Sequence, residues 1–285
     1  MSEIQQSLHG WFRRCMADFD AVVFDIDGVL LIGSHPVPGS VEFIRFLQQL
    51  QKPYGLLTND GDHSHAEKND YLRRCGFDFK DDDITSCADG LVEVAASLQW
   101  HGALFFRAGQ LGIPSYAVAA GLVETLDVSR MEDCKGFIIG DGQYDWQKMV
   151  NAALNILIHH PELPVICVNP DEFFPVKGGR IEVGSGGVSR FLQRLLATYG
   201  VQKELIYLGK PYRPIFEHNH HMLELRCGRP LAPPRVLMVG DSLAADIRGG
   251  AQFGYRTALM LTGMTKPLHL VADAPAAPDW VFAGY

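Results

Sequence analysis

The segment Phe24-Asp25-Ile26-Asp27-Gly28 places two carboxylates two residues apart, directly after the apolar run Ala21–Phe24. Three more polar groups hold equivalent positions: Thr58 after Tyr54–Leu57, Lys210 after Leu205–Leu208 and Gly209, and Asp241 after Val236–Val239 and Gly240. An acid after one apolar run more often caps a turn or a helix than does chemistry. Carboxylates, an ammonium and a hydroxyl repeated in that position are the groups that hold a divalent cation and a phosphoryl group together.

The elements that must position them can be read from periodicity. Ala21–Phe24, Tyr54–Leu57, Phe137–Ile139, Val165–Val168, Leu205–Leu208, Val236–Val239 and Thr257–Leu261 are continuous apolar runs of the length of strands buried on both faces. Between them, Val41–Leu50, Ala66–Cys75, Trp146–His159, Val188–Tyr199, Pro214–Arg226 and Ala244–Phe253 carry apolar residues at helical spacing. Alternating strand and helix predicts an α/β fold, a mostly parallel doubly wound sheet with helices on both faces. Ligands of such a sheet bind beyond the carboxyl ends of the strands. The reading therefore collects Asp25, Thr58, Lys210 and Asp241 at one edge. Asp273–Pro278, rich in Ala and Pro, reads as a loop.

Composition narrows the partners. Of the 285 residues, 47% are apolar and 20% charged, and the net charge is -8. That balance builds a globular core and leaves no basic patch for nucleic acid or an anionic membrane. The six cysteines form no C-x-x-C pair and no structural zinc spacing, as expected of reduced, buried thiols. No signal peptide and no run of about 20 apolar residues occurs, so a cytoplasmic protein with a small-molecule partner is expected.

Taken in order, Phe24-Asp25-Ile26-Asp27-Gly28-Val29, Leu57-Thr58-Asn59, Gly209-Lys210-Pro211, and Gly240-Asp241-Ser242 with Asp246 resemble the four motifs of the haloacid dehalogenase superfamily. The resemblance runs from about Asp20 to Leu261. It implies a Rossmann-like core and a magnesium-dependent phosphatase working through an aspartyl-phosphate. Asp25 would be the nucleophile, and Asp27 the acid that protonates the leaving alkoxide and then deprotonates water. Mg2+ would take oxygens from Asp25, Asp241 and the backbone carbonyl of Asp27. Thr58, Asn59, Gly28 and Lys210 would bind the phosphoryl group, with Ser242 and Asp246 supporting from behind. Gly28 would let the backbone approach it closely. This division of labour requires Asp27 to hold a proton more firmly than Asp25. Asp27 also favours phosphate esters over carbon–halogen substrates.

About 150 residues separate Thr58 from Lys210, more than one crossover needs. Asn169-Pro170-Asp171, followed by Gly184-Ser185-Gly186-Gly187, is similar to the type-two α/β cap of subfamily IIA, with its NagD-like and nitrophenylphosphatase-like members. The cap is placed at 86–183, and the core at 1–85 and 184–285. Asn169 and Asp171 either touch substrate or form a turn. The resemblance also admits a homodimer. Asp60, where the family more often has asparagine or another small polar residue, adds a negative charge, and Gly140-Asp141-Gly142 is given no role.

Other groups read more simply. The Gly184–Gly187 stretch is a helix start rather than a phosphate loop, lacking the Lys-Ser/Thr ending. His218, His220 and His221 read as packed or solvated rather than as a metal site. His63 and His65 are candidate substrate contacts, Lys52 and Lys177 surface charges, and Trp100, Phe105 and Phe106 cap core. A phosphomutase or phosphotransferase shares every motif, but Gly33–Ser40 leaves no room for the helical cap that mutases carry. A non-catalytic phosphate-binding module is the third reading, opposed by the intact acids and lysine.

Overall fold

The computed structural model describes residues 4–176, 180–267 and 277–285. Lys177 and most of the 273–278 loop lie outside them. The chain divides into two compact units. The first comprises Met1–Thr58, His65–Thr85 and Lys210–Tyr285, and the second Asn59–Ser64 and Ser86–Gly209. No described helix is long and apolar enough to cross a membrane.

The first unit is built on a seven-stranded sheet ordered Ile4–Gln5, Trp280–Phe282, Arg256–Met260, Val236–Gly240, Ala21–Phe24, Tyr54–Thr58, Ile84–Ser86. The ladders from Ile4–Gln5 to Tyr54–Thr58 are all parallel. Ala21–Phe24 and Val236–Gly240 are buried at every position, as their unbroken apolar runs require. Phe24, Phe43, Leu56, Leu237 and Met260 belong to a core completed by the helix Leu8–Cys15, which inserts Trp11 and Phe12. Periodicity did not disclose that helix, because its eight residues carry only three buried side chains.

The second unit holds a five-stranded sheet ordered Ile206–Tyr207, Val165–Cys167, Phe137–Ile139, Leu104–Ala108, Val123–Thr125, again parallel. Phe106, Phe137 and Ile139 pack there with Leu157, Leu192 and Leu196, and Trp100 lies against buried Phe105. This unit runs to Gly209, beyond the Val183 boundary read from the sequence. The reason is physical: the helix Ser185–Tyr199 supplies Val188, Leu192 and Leu196 to this core. Ile206 and Tyr207 then pair with Ile166 and Cys167. The run Leu205–Leu208 therefore supplies the strand Ile206–Tyr207 to the second sheet, and Lys210 does not follow a strand of the first.

All six cysteines are free, with Cys87, Cys134 and Cys167 buried. His220 is half-buried, its ring nitrogens 3.1 Å from the Tyr255 hydroxyl and from the Leu231 carbonyl, a packed histidine. Lys52 is not a plain surface charge: its half-buried ammonium donates to the carbonyls of Met16 and Phe19.

Candidate active site

Asp25 is the first residue beyond Ala21–Phe24, and its N–H still donates to Val239 O on the adjacent strand. The chain then turns. Leu30 and Leu31 donate back to Ile26 O, and Gly28 donates to Leu31 O with φ at +82°. The turn leaves Asp27 exposed beside buried Asp25. Thr58 ends its strand and is buried.

Lys210 reaches this edge from the start of the last segment of the first unit. Its ammonium lies 2.5 Å from Asp25 Oδ1 and 2.7 Å from Asp246 Oδ1, and donates to Leu57 O at 2.9 Å. The Asp246 contact is an ion pair without the alignment of a hydrogen bond. Asp246 turns its other oxygen to the N–H groups of Asp241 and Ser242. It sits in a single π-helical turn, Leu243–Ile247, the local winding that delivers its carboxylate to both. Ser242 caps that turn, its hydroxyl accepting from Ala245 N–H.

Asp241 is held by Thr262-Gly263-Met264-Thr265, a segment outside the four motifs. Its Oδ2 accepts from Met264 N–H, and its carbonyl from Thr265 N–H. The Thr262 hydroxyl donates to Gly28 O. A Cβ at Gly263 would meet Asp241 Oδ2 at 1.8 Å, and one at Gly28 would meet it at 2.2 Å. The Cβ that Gly28 lacks would fall on the Asp241 carboxylate. The only sequence signal for the clasp is a glycine just after the apolar run that ends at Leu261.

The charges do not balance. Asp25, Asp241 and Asp246 each bring a ligand atom within 4.8 Å of the others, all three are buried, and Lys210 supplies one positive charge. Burial pushes the Asp25 carboxyl well up; Lys210 opposes this, while Asp246 and Asp241 add to it. Burial, then Asp246, pushes Asp241 up to about 7. For Lys210 burial acts downward, yet Asp246 and Asp25 outweigh it and hold the ammonium charged. A buried, oxygen-only site with surplus negative charge fits a hard divalent cation.

Asn59, Asn169 and Asp171 fall in the second unit. Asn169 is buried and spends both ends of its amide on protein: Nδ2 donates to Asp141 and Oδ1 accepts from Asp171 N–H. Asp171 Oδ2 accepts from Asn59 Nδ2 at 3.2 Å. These bonds describe a turn. The Gly184–Gly187 stretch opens a helix, with the N–H groups of Gly184, Ser185 and Gly186 taken by Glu172, Asp141 and Asp171. Asp60 Oδ1 accepts from the N–H groups of Asp62 and His63, and Oδ2 lies 3.0 Å from His63 Nδ1. The acid that departs from the family motif thus organises its own loop.

A parallel α/β sheet with an aspartate, a lysine and further acids gathered at one edge defines a phosphoryl-transfer type of centre. The family profile described as haloacid dehalogenase-like hydrolase matches residues 22–123, and the HAD-hydrolase-like profile matches 207–284. Human glycerol-3-phosphate phosphatase is 29% identical over 288 residues, covering 89% of this chain and 82% of its own. Acid sugar phosphatase of Staphylococcus epidermidis is 25% identical over 251 residues, covering 88% and 89%. The p-nitrophenyl phosphatase of Archaeoglobus fulgidus superposes with a TM-score of 0.76 at 25% identity, over 94% of this chain and 97% of that one. The chain belongs to the haloacid dehalogenase superfamily of hydrolases, in its subfamily IIA of NagD-like and nitrophenylphosphatase-like phosphatases.

Proposed function

We propose that the protein is a phosphomonoesterase acting on a small polyol or sugar phosphate, with Asp25 as nucleophile. The observation that carries this reading is the Lys210 ammonium held between Asp25 and Asp246, with the anchored Asp241 carboxylate beside both. The substrate class is supported by the glycerol phosphate and sugar phosphate named for the relatives.

Asp25 attacks phosphorus through a carboxylate oxygen as the ester P–O bond breaks, and Asp27 gives its proton to the departing alkoxide. Asp27 then takes a proton from water, the hydroxide oxygen bonds to phosphorus, and the Asp25 acyl phosphate breaks to release inorganic phosphate. Exposure at a turn lets Asp27 reach both a leaving group and water. Thr58 and the Asn59 N–H are placed by their motif to bind phosphoryl oxygens. Lys210 is kept charged by its two carboxylates and offsets the negative charge that gathers when phosphate enters.

Asp25, Asp241 and the Asp27 carbonyl would hold Mg2+, which when bound neutralises the acids and polarises the phosphoryl oxygens. Asp246, committed to Lys210 and to two backbone N–H groups, acts through those partners. We read the first unit as the catalytic core and the second as the cap that selects substrate. Asp25→Asn should abolish magnesium-dependent phosphate release from p-nitrophenyl phosphate. Retained turnover in that variant would refute Asp25 as nucleophile.

A further inference from the structure

Asp141, which the reaction above does not use, is buried in the second unit within a relay of five residues, between Ser185 and Asn169. Its Oδ2 accepts from Asn169 Nδ2 at 2.8 Å and its Oδ1 from Ser185 N–H at 2.5 Å. Asn169 Oδ1 accepts from Asp171 N–H at 2.9 Å, and Asp171 Oδ2 accepts from Asn59 Nδ2 at 3.2 Å. The polarity leaves no freedom. A carboxylate at 141 can only accept, so it fixes the amide of Asn169 with nitrogen inward and oxygen toward Asp171.

The relay ends where the chain passes between the units. Asn59 is bonded to Thr58, and Gly209 to Lys210, across two of the unit boundaries. A Cβ on Gly209 would lie 2.7 Å from Asn59 Oδ1, so these two passages run side by side within the second unit. Asn59 is also fixed at its carbonyl, which accepts from the Cys87 thiol.

We propose that Asp141 is a positioning residue for phosphate binding, acting through Asn169 and Asp171 to fix Asn59 beside Thr58. This rests on the reading of Asn59 as a phosphate-binding residue. The acid at 141 and the amide at 169 form a complementary pair that can be exchanged. In Asp141→Asn, one donor faces another whichever way the two amides turn. In Asn169→Asp, two carboxylates meet. In the exchange variant carrying both changes, the amide at 141 accepts from Ser185 and donates to the acid at 169, which accepts from Asp171 N–H. Every bond of the relay is restored.

The test is calorimetric binding of inorganic phosphate to the full chain with Mg2+ present, for wild type, both single variants and the exchange variant. Each single variant should bind phosphate about tenfold more weakly or worse. The exchange variant should return to within about threefold of wild type, and Mg2+ affinity should stay unchanged throughout. A purely structural role would lower thermal stability without this pattern in phosphate affinity. Wild-type phosphate affinity in Asp141→Asn, or a folded exchange variant no better than the single ones, overturns the proposal. Should the single variants fail to fold, Asp171→Ala decides: it removes the carboxylate that accepts from Asn59 Nδ2 in a half-buried turn, and unchanged phosphate binding there overturns it equally. Wild-type turnover of p-nitrophenyl phosphate is scored apart. A wild type that binds phosphate without hydrolysing the ester sinks the phosphatase reading and leaves the relay standing.

Discussion

The ammonium of Lys210 lies 2.5 Å from the carboxylate of Asp25, a residue 185 positions earlier in the chain. The same nitrogen contacts Asp246, so one cation serves two buried acids. Removing it leaves both without their lysine countercharge in a buried site. Lys210→Met should destabilise the cation-free protein by about 3–5 kcal/mol, the usual cost of breaking a buried ion pair. Chemical denaturation in chelator measures this. A loss below about 1 kcal/mol would mean that the pair is solvated and contributes little.

Gly263 has a separate and sharper requirement. A methyl group there would overlap the Asp241 carboxylate, whose oxygen must stay with Met264 N–H. Gly263→Ala should weaken Mg2+ binding by about 10- to 100-fold, as expected when the support of a metal ligand is disturbed. Calorimetry with the metal alone reads this without substrate. Unchanged affinity would show that Asp241 can turn freely.

The acids make stability depend on pH in a definite sense. Asp25 and Asp241 both have folded-state pKa values above the ordinary carboxylate range, Asp241 at about 7. The folded protein therefore binds more protons than the unfolded chain between that range and about pH 7. Raising the pH through this window withdraws stability from the cation-free protein. Mg2+ replaces the protons, so its thermal upshift should be larger at about pH 8 than at about pH 5. An upshift independent of pH would count against metal binding by these two acids.

Asp27→Asn should separate chemistry from structure. The side chain is exposed, and its proposed contribution to the metal is a backbone carbonyl that the substitution retains. Turnover should fall by about 10²-fold or more, as when a general acid is lost. Stability should stay within about 0.5 kcal/mol and Mg2+ affinity close to wild type. An ester with a better leaving group, such as p-nitrophenyl phosphate, should lose less than an alkyl phosphate. Equal losses on both would argue against proton donation by Asp27.

The chain order of Asp25, Thr58, Lys210 and Asp241 carried the reaction class, because three of them close apolar runs of the length of buried strands, which those runs form. Position relative to a strand is local, so residue type and spacing suffice to read it. Lys210 was identified by its motif, although the run before it joins the other sheet. A two-residue strand carries no mark of which sheet it will pair with.

Contacts between distant segments had to wait for tertiary structure. Nothing in the spacing of Asp141, Asn169 and Ser185 announces that one carboxylate binds both others. Nor does the glycine at 263 declare that its missing side chain makes room for Asp241. Apolar periodicity is written along the chain, whereas a buried hydrogen bond depends on where two elements meet. The sequence by itself therefore determined which polar groups end the apolar runs and the class of enzyme that the chain resembles. Only the folded chain decided which carboxylates pair with Lys210, which one accepts from Met264 N–H, and which is spent on holding a loop.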